Sequence, residues 1–375
     1  MQAFVFTDRA LARRAGQFVW LSVDTEKAAN APFTRKFPVE GLPTFFIVDP
    51  ATETATLRWL GGATVPQVQK LLDDGLRTVA APRRGLEETL ARADRLFGEG
   101  KNAEAAKAYR EVLAAAPPGW PRYGRALESL LYALDATKDR EGCATAARDA
   151  FSRLKSTPSA ANVAASGLGC ALAMTPEIPA RRELVDALRA DALFVVRSNR
   201  RDIAADDVSS VYQALEEDRE DARDVEGRRK LLEQHASFLE TRASQAKTPQ
   251  ERAVFDSHRM GAYMDLRQPE RAVAMLEQSE KDFPGDYNPP ARLAVILNAM
   301  KKPQEAAAAS DRALAKAYGP RRIGILQARS QIEAARGDAA ASRRYLEEAL
   351  RAAEALPEGQ RSDRTIASLK KKLES

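Results

Sequence analysis

At 375 residues, with 44% hydrophobic and 30% charged positions, the chain is long enough for two or three folded units and too apolar to be a disordered polymer. Its 58 basic and 53 acidic residues leave a net charge of +5, but the two signs are interleaved and no dense basic block precedes Lys370-Lys371-Lys372, so nucleic acid is not an expected partner. No run approaches the roughly 20 apolar residues of a membrane helix. The first twenty residues, interrupted by Arg9, Arg13 and Arg14, do not read as a signal peptide. Taken as it stands, the chain is cytoplasmic.

In chain order, residues 18–23 (FVWLSV) form an apolar run read as a buried strand. Residues 25–37 read as a helix with Ala28, Ala29, Phe33 and Phe37 on its buried side. A turn at Gly41-Leu42-Pro43 leads to a second strand over 44–48, stopped by Asp49-Pro50. A third strand is expected over 55–60 (ATLRWL) and ends at Gly61-Gly62. Thr64 and Gln67 have capping-box spacing and open an amphipathic helix carrying Val65, Val68, Leu71, Leu72, Leu76 and Val79.

The succession FVWLSVD, KFPVEGLPTFFIVDP, RWLGG and a final amphipathic helix resembles the C-terminal three-quarters of a thioredoxin-like domain, over residues 1–80. That resemblance implies an α/β fold with a cis peptide bond before Pro43. It also implies a substrate-contacting loop at Leu42, Pro43 and Thr44. It further implies an opening strand, a central strand and a Cys-x-x-Cys motif, none of which follows Met1. Thiol–disulfide exchange needs an activated thiolate with a resolving thiol beside it, so no catalytic residue is assigned. The missing parts are expected upstream of Met1, in which case the whole protein would be an exported thiol–disulfide oxidoreductase. The alternative is a degenerate, non-catalytic cap.

Residues 81–85 read as a linker, and 86–375 as an all-α array. The most informative stretch is Gly100–Pro117. Gly100 ends one helix, Ala105, Tyr109 and Val112 share a face of the next, and Pro117 stops it. Cys143, Ala147 and Ala150 take the corresponding places in a second pair, over 123–136 and 140–154. A small-residue helix follows at 160–174, and helices are expected near 178–196, 206–218 and 222–246. Ala272, Ala306 and Ser342 then begin equivalent faces 34 and 36 residues apart. This spacing resembles the tetratricopeptide (TPR) repeat. A last helix over 362–374, N-capped by Ser362, would close the array. The resemblance implies a concave surface lined by the first helix of each pair and a protein or peptide client upon it.

The remaining signals read as structural. Cys143 and Cys170 have small helical neighbours and are taken as core residues, with a disulfide between adjacent helices left open. With His235 and His258 they make no recognisable zinc spacing, and no metal or cofactor is expected. Ser152-Arg153-Leu154-Lys155 is a helix end, and His258 packs on an apolar face. Glu216-Glu217-Asp218 reads as solvated, and Arg92, Arg122 and Arg321 as helix-surface residues.

Overall fold

The computed structural model describes residues 3–39, 41–80 and 84–374. In chain order the elements are α1 (Ala31–Lys36), β1 (Thr44–Asp49), β2 (Thr54–Leu60), α2 (Val65–Ala80), α3 (Leu86–Gly98), α4 (Asn102–Ala115), α5 (Tyr123–Ala136) and α6 (Arg140–Leu154). They continue as α7 (Ala160–Leu172), α8 (Arg181–Ser198), α9 (Ala205–Asp221), α10 (Val225–Ser244), α11 (Pro249–Ala253), α12 (Asp256–Asp265) and α13 (Val273–Asp282). The last are α14 (Asn288–Ala299), α15 (Pro303–Leu314), α16 (Gly319–Ala335), α17 (Ala339–Glu354) and α18 (Asp363–Glu374). Among the described residues no helix is long and apolar enough to cross a membrane. The chain divides into two compact units: Met1–Gln17 with Val39–His235, and Phe18–Pro38 with Ala236–Ser375.

In the first unit each helix from α3 to α9 packs on its sequence neighbour, and α3, α5, α7 and α9 also pack on one another in succession. Contacts to the next helix and to the next but one are what a stack of two-helix repeats produces. The faces read from sequence are buried: Ala105, Tyr109 and Val112 on α4, and Cys143, Ala147 and Ala150 on α6. In the second unit α13–α18 stack likewise, and α18 closes the end by burying Leu369 against Ile323, Leu326, Ala349 and Ala353. The backbone N–H of Thr365 donates to Ser362 Oγ at 3.3 Å.

The two helices of a pair are joined by one recurring turn. A residue in the left-handed region stands at Gly100, Lys138, Arg223, Arg267, Lys301 and Gly337, with φ between 54° and 83°. In each case the next N–H donates back across the turn: Lys101 to Leu96, Asp139 to Leu134, Asp224 to Arg219, Gln268 to Tyr263, Lys302 to Leu297 and Asp338 to Glu333. This is a Schellman closure, which satisfies carbonyls that the helix end leaves open. Asp139, Asp224 and Asp338 then cap the following helix through their side chains. Two of the six positions are glycine; at the other four the turn is hidden behind Lys or Arg.

The first eighty residues depart from the thioredoxin-like expectation. β1 and β2 form an antiparallel hairpin, with Thr44 opposite Leu60 and Phe46 opposite Arg58, and this is a two-stranded sheet among the described residues. Residues 18–23 are not a strand of it. They run outside the sheet, with Val19 88% and Leu21 78% exposed. A buried strand must pair its backbone N–H and C=O groups, and the described sheet stops at β1 and β2. The helix expected over 25–37 shortens to a 3-10 turn at Ala28–Asn30 and α1.

The hairpin packs on the helical array of its own unit. β2 lies on α3, with Ala55 against Gly98. The guanidinium of Arg58 is buried beside the rings of Phe46, Phe97 and Tyr132, 4.9–5.9 Å from their centroids, and donates to Phe97 O at 3.3 Å. The three rings surround the guanidinium with cation–π contacts. Part of the linker read at 81–85 lies outside the described residues.

Candidate peptide-binding surfaces

The loop singled out by sequence begins β1. The Leu42–Pro43 peptide bond is cis, and Leu42 is 64% exposed. Pro43 O accepts from Gly61 N at 2.9 Å, and Thr44 Oγ1 donates to Gly41 O at 2.5 Å, so the loop is tied to both strands of the hairpin. No thiol stands near it. Cys143 on α6 and Cys170 on α7 form a disulfide, with Cα atoms 6.0 Å apart, and both are buried. Both are core residues, as the sequence suggested, and the pairing it left open is made. The two helices pack against each other, which brings the Cα atoms within bridging range.

On the face of α3 and α5 stands an ionic lattice. Arg125 donates to both carboxylate oxygens of Asp94 (2.8 and 3.0 Å) and lies 3.0 Å from Asp74 on α2. Arg122 donates to Asp74 at 2.7 Å and to Glu87 at 2.5 Å. Tyr109 Oη donates to Asp94 at 2.7 Å. Burial raises the Asp74 carboxyl, but the Arg125 and Arg122 guanidinium groups and a hydrogen bond from Arg77 outweigh it, leaving the group below its usual range. Arg122 is therefore mostly buried and paired, not a free surface residue. A cavity of about 240 Å³ opens beside Asp74, Arg77, Arg84 and Glu87.

One turn further along α5, Glu128 is buried. Its Oε2 accepts from Asn162 on α7 at 2.7 Å, while Oε1 has no hydrogen-bond partner. Burial pushes its carboxyl up to about 7, against hydrogen bonds from Ser159 and Asn162 and the charge of Arg125. Asp207 on α9 is raised well above its usual value by burial and by the charges of Glu128 and Asp206.

A third polar cluster joins α9 to α10. His235 Nδ1 stands 2.9 Å from Glu216 Oε1, and Nε2 stands 2.8 Å from Ser209 Oγ, both at hydrogen-bond distance. Tyr212 stacks on the imidazole at 5.1 Å. The connectivity is that of a Ser-His-acid triad, but Ser209 is fully buried, so no substrate carbonyl can reach it. The cluster is an internal polar staple. It also corrects the reading of Glu216-Glu217-Asp218 as solvated: Glu216 is buried here, and buried Asp218 takes both ends of Arg189 at 2.7 Å.

The second unit holds a different arrangement. Tyr287 and Tyr318 stand immediately before α14 and α16, at equivalent places in successive pairs, with ring centroids 6.2 Å apart. Between them and the α17–α18 loop lies the non-helical segment 24–27. Tyr318 Oη donates to Asp24 Oδ2 at 2.5 Å, and Tyr287 Oη to Glu26 Oε2 at 2.5 Å. Arg321 Nε donates to Glu26 Oε1 at 2.8 Å. Gln360 Nε2 donates to the main-chain oxygens of Thr25 (2.8 Å) and Lys27 (2.9 Å). The hydrogen bond to Asp24 pushes the Tyr318 hydroxyl up to about 12. Arg321, read from sequence as a helix-surface residue, is thus a carboxylate ligand. No sequence signal marked Tyr287, Tyr318 or Gln360, because their partners lie some 260 to 335 residues away.

No family model matches the chain, and no curated protein matches it. Solved structures similar to it include a tetratricopeptide repeat protein from Parabacteroides merdae, 12% identical, covering 77% of this chain and 99% of that one, with a TM-score of 0.45. Another is the TPR2AB domain of yeast Sti1 in a complex with pHSP90, 15% identical, covering 77% and 98%, with a TM-score of 0.29. The TPR-like architecture of this chain rests on its own helix stacking and turns.

Proposed function

We propose that this chain is a non-catalytic interaction scaffold: a TPR-like array that holds a protein or peptide partner, with the β1–β2 hairpin capping α3. The observation that carries the reading is the second unit's grip on residues 24–27. Side chains from the starts of two successive helical pairs and from the closing loop hold a non-helical segment by its carboxylates and its main chain. An array that grips one non-helical segment in this way has the groups to grip another. The Leu42–Pro43–Thr44 loop is a second client contact in this reading, supported by the exposure of Leu42.

The expectation of thiol–disulfide exchange gains no support. Both cysteines of the sequence are committed to one buried bridge, and buried sulfur is inert to exchange. The bridge instead favours an oxidising compartment as the working environment, testable by counting thiols in the unfolded, unreduced protein: none is expected, and two would refute it.

The scaffold reading is tested by a random-peptide display selection against the immobilised full chain. Convergent peptides that bind the folded protein support it. A selection without enrichment, together with turnover of a model disulfide, defeats it.

A further inference from the structure

Three features mark the grip on residues 24–27 as a recognition site with its own chemistry. First, it reads a specific pair of charges. The carboxylates of Asp24 and Glu26 each take a tyrosine hydroxyl at 2.5 Å, and Glu26 adds a guanidinium. Hydrogen bonds to ionised acceptors are roughly twice as strong as neutral ones. Asp24 is further tied to its own backbone, accepting from Glu26 N at 2.9 Å, so the two acids are presented on a closed turn. Second, the array is cut to admit a backbone. A Cβ at Gly319 would lie 2.1 Å from Glu26 O, and Gly319 has φ +55°. At Gly359 a Cβ would meet Ala31 O at 3.0 Å. Third, the present occupant underfills the site. A cleft of about 480 Å³ remains beside Ala28, walled by Tyr318, Arg322, Ala352 and Leu356.

Building on the scaffold reading, we propose that Tyr287, Tyr318, Arg321 and Gln360 form a recognition site for an Asp-x-Glu turn on a partner protein, filled in this structure by the chain's own Asp24–Lys27. The cleft beside Ala28 selects a bulky apolar residue two positions after the glutamate, which the cis segment lacks. The partner is thus an acidic Asp-x-Glu-x-apolar segment that displaces the internal one. The cis segment sets a threshold, because a tethered ligand competes at high effective concentration.

The test uses the full chain and fluorescein-labelled synthetic peptides spanning residues 17–37, read by anisotropy. The double variant Asp24→Asn, Glu26→Gln frees the site and should bind the peptide at least 10-fold more tightly than the unaltered chain. A peptide carrying Ala28→Leu should bind the freed protein about 5-fold more tightly than the natural one. A peptide carrying the two neutral substitutions should bind at least 10-fold more weakly. Adding Arg321→Ala to the freed protein should abolish binding while the thermal transition of the protein is kept. Two results overturn the proposal: a folded, freed variant that does not bind the peptide, and binding indifferent to Arg321. If display-selected peptides bind but are not displaced by the Asp-x-Glu peptide, this site is refuted while the scaffold reading stands.

Discussion

Replacing Glu128 by glutamine should stabilise the first unit at pH 8 and leave it almost unchanged at pH 5. Glu128 is 8% exposed, and one carboxylate oxygen has no partner. Burial lifts its pKa from an ordinary 4.5 to about 7, overriding Ser159, Asn162 and Arg125. A carboxyl with a folded pKa above its unfolded value favours folding at low pH, and that advantage is lost as pH rises from about 4.5 through 7. At pH 8 the group is ionised in both states, and the shift corresponds to a cost on the order of 3 kcal/mol. At pH 5 the folded group is protonated and the cost is below about 1 kcal/mol. Glutamine keeps the shape and carries no charge, so the Glu128→Gln protein should gain about 2–3 kcal/mol at pH 8. It should also relieve the repulsion on Asp207. The assay is urea denaturation at pH 5 and pH 8, following the transition of the first unit. A variant midpoint equal to or below the parent's at pH 8 would refute the reasoning.

Asp94→Asn should cost about 3–5 kcal/mol, because it strips a buried Arg125 of its bidentate partner and Tyr109 of its acceptor; denaturant midpoints check this, and a loss under 1 kcal/mol would show the lattice is dispensable. Asp74, held below its usual range, contributes stability at neutral pH that is lost as pH falls below about 4, so Asp74→Asn should flatten the acid limb of the unfolding curve. Reducing the Cys143–Cys170 bridge, which closes a 27-residue separation, should cost about 3.5 kcal/mol by chain entropy, seen as a lower midpoint with dithiothreitol. Lys138→Gly and Lys301→Gly place glycine in left-handed turns and should each stabilise by about 0.5–1 kcal/mol in thermal melts, whereas the same change at mid-helix Lys107 should destabilise.

The charge pairs were the least legible in sequence. Arg122 and Arg321 look alike in one dimension, yet one is locked to Asp74 and Glu87 and the other holds Glu26. Glu216 and Asp218 sit in an acidic run that reads as solvated, but α10 and α8 bring His235 and Arg189 onto them. Composition cannot signal a partner set by packing.

What the sequence by itself determined is the helical array. The boundaries of α3 through α6 follow from apolar periodicity, turn glycine and proline, and helix caps, all of which act within a few residues. Burial in a repeat stack comes from the next helix along, so local pattern suffices. The tertiary structure decided the rest. FVWLSV has strand composition, but a strand exists only where a neighbour pairs its backbone. Without one in the described sheet, residues 18–38 belong instead to the second unit, where Asp24 and Glu26 meet Tyr318, Tyr287 and Arg321. Those contacts span nearly 300 residues, and only the folded array brings their two ends together.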